Sequence, residues 1–179
     1  MKNLRRLLLF ALAMICLQFS FAQTFNGTGG TIPNIGNASF PINVTGVGAI
    51  DGTYGVSSVC VNINHNTPNE DLEIILVAPD GTNAPLSIQN GTGNNFINTC
   101  FSASATTSIH NGTAPFTGTY IPDSYLGSVN NGQNADGTWR LLVNDRRNNS
   151  GTGTLLNWSI TFSGTPAPPA PVLPPCTVT

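Results

Sequence analysis

"GTWRLLVNDRRNNSGTGTLLNWSITF", Gly137 to Phe162, holds two apolar runs of period two, one tryptophan in each, parted by a polar, glycine-rich link. In the first run Trp139, Leu141 and Val143 share a face; in the second Leu156, Trp158, Ile160 and Phe162 do. Such alternation marks half-buried strands, and the link predicts a closing hairpin. No residue here is reactive in an obvious way. Whether the chain is an enzyme or a module that only holds something must be decided elsewhere.

The same period recurs upstream. In "VSSVCVNINH", Val59, Val61 and Ile63 share one face, while Ser58, Cys60, Asn62 and Asn64 share the other. In "DLEIILVAP" both faces are apolar, which predicts a central strand covered on each side. Between the runs stand turn dipeptides that tolerate positive φ: Asp51-Gly52, Asp80-Gly81, Asp136-Gly137, Asn26-Gly27, Asn90-Gly91, Asn111-Gly112 and Asn131-Gly132. No window sustains a helical stripe. Short antiparallel strands must pair into two layers to bury their apolar faces, so a β-sandwich or jelly roll is expected, with its core from about Phe40 to Phe162.

The ends read differently. Lys2, Arg5 and Arg6 precede an apolar run to Phe21 and a small-residue exit at Ala22, the pattern of a secretory signal peptide over residues 1–22. The run is too short and wrongly flanked for a membrane span. Cys16 leaves with the peptide. So do three of the six basic residues, leaving a net charge of 3 − 8 = −5. A protein with three arginines and no lysine is poorly equipped to displace counterions from nucleic acid, or to sit on an anionic membrane. Residues 23–38 read as a loose lead-in with at most one edge strand. From Thr165, "TPAPPAPVLPPCTVT" reads as an extended proline-rich spacer or tail over 165–179. Cys176, within it, has no evident partner.

Export places the remaining cysteines in an oxidising compartment. Cys60 and Cys100 each lie on the more polar face of a strand, with Val59/Val61 and Ile97/Phe101 on the opposite faces. If the strands are neighbours the pair forms a cross-strand bridge; otherwise they are two buried thiols. A catalytic reading needs a nucleophile beside a base. Only His65 and His110 supply imidazoles. His65 ends a strand, either as a general base partnered by Asp71 or as a structural ring bonded across the turn "NTPNEDL"; the structural role is expected. His110 reads as a loop residue. No nucleophile elbow, phosphate loop or H-E-x-x-H is present. Asp71, Asp136 and Asp145 are calcium candidates, since hard cations want several oxygens, although no dense D-x-D-x-D run occurs. Arg146 and Arg147 form the sole basic pair. Tyr54, Tyr120 and Tyr125 could build an aromatic platform for a glycan.

In order, "VCVNINHNTPNEDLEIILVAPDGT", "NNFINTCF" and "PFTGTYIPDSYLGSVNNGQNADGTWRLLVNDRRNNSGTGTLLNWSITF" resemble the P domain, or P/Homo B domain, of subtilisin-like proprotein convertases of the furin and kexin type. The likeness spans about Ile42 to Phe162. It rests on the succession D-L-x-I-x-L-x-A-P-x-G-T, G-x-W-x-L-x-V-x-D and G-T-L-x-x-W-x-I-x-F. It implies an all-β fold, an antiparallel jelly-roll β-sandwich of galactose-binding-like kind over 39–164, with Trp139 and Trp158 in the core. It also implies an accessory role beside a subtilisin-like serine endopeptidase, whose Asp, His and Ser motifs do not occur in these 179 residues. Many bacterial relatives carry acids where this chain has Asn94, Ser102 and Ala103, and some P domains bind calcium, so the resemblance leaves calcium as a candidate cofactor and implies no other. The resulting expectation is a secreted, non-catalytic module whose partner is a protease or a neighbouring extracellular module. The alternatives are a glycan-binding or adhesion module, and a fragment of a larger secreted protease.

Overall fold

The computed structural model describes residues 21–148 and 151–169. Most of the expected signal peptide, Cys16, Cys176 and the tail beyond Pro169 lie outside the described residues. Among the described residues nine strands run in order: β1 (Gln23–Ile32), β2 (Gly36–Val44), β3 (Gly55–His65), β4 (Leu72–Val77), β5 (Asn83–Ile88), β6 (Phe96–Ser102), β7 (Phe116–Tyr120), β8 (Gly137–Asp145) and β9 (Gly153–Ser163). Three single-turn 3-10 helices interrupt the loops. The strands form two sheets, ordered β1-β9-β3-β6-β7 and β2-β8-β4-β5. This is the expected all-β sandwich. One pair departs from the antiparallel rule: β6 and β7 run parallel, which the long loop between them permits.

The alternating runs become the inner faces. Val59, Val61 and Ile63 of β3 meet Ile74 and Leu76 of β4 in one buried cluster with Trp139 and Trp158. Trp139 and Phe162 pack edge to face, ring centres 5.6 Å apart, and the Trp139 indole N–H donates to Ala135 O at 2.8 Å. Burying two indoles and several phenyl rings between the layers is the main source of cohesion. β4 does occupy an interior place in its sheet, but only one of its faces is buried; Glu73, Ile75 and Val77 are half-exposed.

Four further expectations change. β8 and β9 are not a hairpin: β8 pairs with β2 and β4, while β9 pairs with β1 and β3 in the other sheet. Their link crosses between layers, because each strand buries its tryptophan from the opposite side of the core. Residues 23–38 are not a loose lead-in. They form the whole of β1 and the start of β2, two long strands with few apolar side chains, held by ladder bonds to β9 and β8. Asn26-Gly27 is no turn but the middle of β1, where a Cβ on Gly27 would stand 2.4 Å from Trp158 Nε1. Leu156, expected inside, is 51% exposed, and Ile97 is 42% exposed. Both lie at bulges flanking Asn62 of β3. β9 inserts Leu156 between the residues facing Asn62 and Ile63, and β6 inserts one residue between those facing Val61 and Ile63. An inserted residue flips the parity of the strand beyond it, so Leu155 and Phe96 take the core positions instead.

The tail begins inside the fold. Ala167 is buried, its N–H donates to Val56 O at 2.8 Å, and its carbonyl accepts from Asn130 Nδ2 at 2.9 Å. The same Asn130 accepts from Val56 N–H at 2.8 Å and donates to Val56 O at 3.0 Å. Gly127 lets Pro168 lie directly on it.

Candidate functional site

Cys60 and Cys100 face each other in register and are joined by a disulfide, Cα atoms 4.0 Å apart. The bridge clips β3 to β6 on the outer face of the larger sheet.

Polar side chains gather at one corner of the sandwich. There β1 passes to β2 and β8 passes to β9, so both crossings leave their sheets side by side: Ile32 and His65 flank Gly153, while Gly36 and Leu72 flank Asp145. A crossing strips backbone groups of ladder partners, and side chains replace them. His65, Asp71 and Asp145 are all buried here. His65 Nε2 lies 3.5 Å from Asp145 Oδ2, and its Nδ1 lies 3.0 Å from Thr67 O across the turn. The ring is therefore bonded as the structural reading requires, but its carboxylate is Asp145 and not Asp71. Asp71 instead faces Arg147 Nε at 3.2 Å and, through its backbone carbonyl, accepts from Arg146 N–H at 2.8 Å. Asp145 Oδ1 accepts from Arg147 N–H at 2.9 Å. Arg146 reaches Glu73 at 3.5 Å. The basic pair thus ties the crossing to β4 and its approach.

A hydroxyl does approach an imidazole in this corner. Thr67 Oγ1 stands 3.2 Å from His65 Nδ1 and 3.4 Å from Nε2. The hydrogen-bonding directions of the two ring nitrogens diverge in the ring plane, so an oxygen in line with one is much farther from the other. Near-equal distances put the hydroxyl out of line with both, which is not the arrangement of a nucleophile and its base.

The calcium candidates do not assemble. Asp136 precedes β8 and Asp145 ends it, so about 30 Å of strand separates them. Asp136 Oδ1 accepts from Val47 N–H at 2.8 Å and Gly48 N–H at 3.2 Å. These backbone donors, Val47 foremost, hold its carboxyl below the ordinary value of 3.8. Asp71 faces the Arg147 guanidinium, and Asp145 faces the His65 imidazole. Among the described residues no group of three or more His, Cys, Asp or Glu could hold a metal ion. The tyrosines likewise form no platform. Tyr120 packs edge to face on Phe116, Tyr54 OH donates to Phe21 O at 3.2 Å, and only Tyr125 is well exposed.

Sequence reasoning overlooked a second polar assembly, around His110. Its Nδ1 lies 3.0 Å from Asn90 Oδ1. Asn90 is 4% exposed, and its Nδ2 donates to Ser87 Oγ at 3.2 Å and to Asp123 Oδ2. Beside it opens a groove of about 380 Å³ lined by Gly91, Thr92, Gly93, His110, Gly112, Thr113 and Ala114. A histidine and an acid separated by Asn-Gly turns give no signal at fixed spacing, which is why the pattern alone did not reveal it.

What the fold and its polar groups define is a β-sandwich module whose buried charges serve closure of the structure. The proprotein convertase P-domain family matches residues 56–162, more than half of the chain, and the protein belongs to that family. Two solved structures resemble it: the serine protease of Aeromonas sobria in complex with the chaperone ORF2 (20% identity, TM-score 0.45), and the serine protease of Aeromonas sobria alone (18% identity, TM-score 0.42). Each likeness covers 86% of this chain and 29% of the other. No curated protein sequence matches closely. The P domain is a non-catalytic module of subtilisin-like proteases. No helix among the described residues is long and apolar enough to cross a membrane.

Proposed function

We propose that the protein is an exported, non-catalytic accessory module that stabilises a partner outside the cell, either a subtilisin-like protease or a neighbouring extracellular module. Family membership supports the accessory role. The observation that carries the non-catalytic part is the state of the two imidazoles: His65 is enclosed between Thr67 and Asp145, and His110 is bonded to a carboxamide. Export rests on the basic head and apolar run of residues 1–22 and on a disulfide of the kind oxidising compartments preserve.

The test uses the purified chain from residue 23 onward. It should leave casein intact, and it should raise the melting temperature of a subtilisin-like protease mixed with it, as any partner that binds only the folded state must. Casein turnover abolished by His65→Ala would refute the non-catalytic reading. A protease melting curve that ignores the module at saturating concentration would refute the partnership.

A further inference from the structure

We infer that the groove beside His110 is a binding site for a neutral, hydroxyl-rich ligand, a saccharide unit, recognised by the imidazole Nε2 as hydrogen-bond acceptor. The orientation of that nitrogen follows from the partners of Asn90. A carboxylate oxygen only accepts, so the Asn90 group facing Asp123 must be its NH2, and the same NH2 reaches Ser87 Oγ. The carboxamide oxygen is thereby turned toward His110, where it accepts from Nδ1–H at 3.0 Å. In the neutral ring the proton is then on Nδ1, and Nε2 keeps its lone pair. Asn90 is buried and bonded on three sides, so it holds the exposed ring in one orientation.

The groove itself narrows the ligand class. Its volume, about 380 Å³, falls in the range of small-molecule sites. No Asp, Glu, Lys or Arg lines it, so an ionic ligand would find no counter-charge. Its walls are glycine backbone and the hydroxyl-bearing side chains of Thr92 and Thr113, and only Ala114 adds an apolar contact. Such a lining pairs with alternating donors and acceptors better than with an apolar body. Gly91 and Gly112 are bare because two loops meet over Phe116, where a Cβ on either would come within 2.8 Å of the ring; a Cβ on Gly93 would stand 3.0 Å from Ala114 Cβ. The concavity is thus built into the packing of the sandwich edge.

The test titrates 15N-labelled protein with cellobiose, maltose and N,N′-diacetylchitobiose up to about 20 mM, enough to detect millimolar dissociation constants. At least one disaccharide is expected to shift the amides of Gly91, Gly93, Gly112 and Thr113. Long-range imidazole spectra should show His110 protonated at Nδ1. His110→Ala, at an exposed position, should leave the Trp139 and Trp158 indole signals in place while weakening the sugar about tenfold, the loss that goes with one such hydrogen bond. The inference is overturned if none of the three sugars shifts the groove, if His110→Ala binds as tightly as the parent, or if the proton is found on Nε2.

Discussion

Replacing Asn130 by alanine removes the side chain on which the C-terminal exit hangs. Its carboxamide accepts from Val56 N–H and donates to the carbonyls of Val56 and Ala167, all within 3.0 Å. Val56 O keeps a partner after the substitution, because Ala167 N–H also donates to it. Val56 N–H and Ala167 C=O lose theirs, in a place where both residues are buried. At about 1–3 kcal/mol for each buried group left unmade, the expected loss is about 4 kcal/mol, less if a water fills the space. Urea unfolding followed by tryptophan fluorescence measures it. A double-mutant cycle then isolates the tail. In a chain ending at Gly164 the exit segment no longer covers Val56, so water can reach the groups that Asn130→Ala leaves unpaired there; the substitution should then cost roughly half as much, with a coupling of about 1–3 kcal/mol. Asn130→Asp should be no better than alanine, since a carboxylate cannot donate to either carbonyl. A loss below about 1 kcal/mol for Asn130→Ala, or a cycle without coupling, would show that the exit is not held this way.

Three further outcomes are expected from the same structure. Removing both Cys60 and Cys100 opens a loop of sequence separation 40, which the chain-entropy relation values at about 4 kcal/mol; urea midpoints should fall accordingly, and unchanged midpoints would contradict it. Gly27→Ala puts a methyl group 2.4 Å from Trp158 Nε1 and 2.7 Å from Ile42 Cγ1, so about 1–3 kcal/mol should be lost to overpacking, read as a lower melting temperature. Asp51, Asp80 and Asp136 accept hydrogen bonds in turns that hold each carboxyl below its ordinary 3.8. Thr53 is the chief donor for Asp51 and Val47 for Asp136; at Asp80 burial pushes upward, and donors including Asn131 and Thr82 together outweigh it. A depressed folded value stabilises above the unfolded one, so stability should hold above pH 3.8 and fall as pH drops below it. Asp136→Asn should flatten that acid limb of the melting profile, and an identical slope in the variant would count against the assignment.

How far the sandwich could be read in advance differs from strand to strand. In β3, Val59, Val61 and Ile63 give their own inward face, because alternation needs only the residues of one strand. The registers of β6 and β9 do not belong to those strands alone. The insertions at Ile97–Asn98 and Leu156 exist only in relation to Asn62 between them, so parity counted along either strand goes wrong past the bulge. β1 escapes for another reason. Its glycines look like turn punctuation, yet Gly27 is bare so that Trp158 can lie against the strand. The dipeptide Asn-Gly is the same in both settings; only the partner distinguishes them. The exchange of β8 and β9 between sheets is equally silent, since a polar link of that length serves a hairpin or a crossing alike.

The polar residues obey one rule that composition hides. Grouping the acids by type suggests a cation site, whereas the fold distributes them by what each corner lacks. Asp136 and Asp51 sit in turns and satisfy backbone N–H groups nearby. Asp71 sits beside the end of β8 because Leu72 and Asp145 are cross-strand partners, and that register brings Arg147 to Asp71. Asp71 is buried although Arg147 is more than half exposed, so removing the arginine would deprive a buried carboxylate of that charge. Folding alone is therefore reason enough for the corner's charges, with no ligand required. Asn90 and His110 differ in one respect: the carboxamide is buried, but the ring it orients is turned out to solvent beside an open groove. Orientation of an exposed group does little for closure of the core, and that asymmetry points to the groove as a place to look for a ligand.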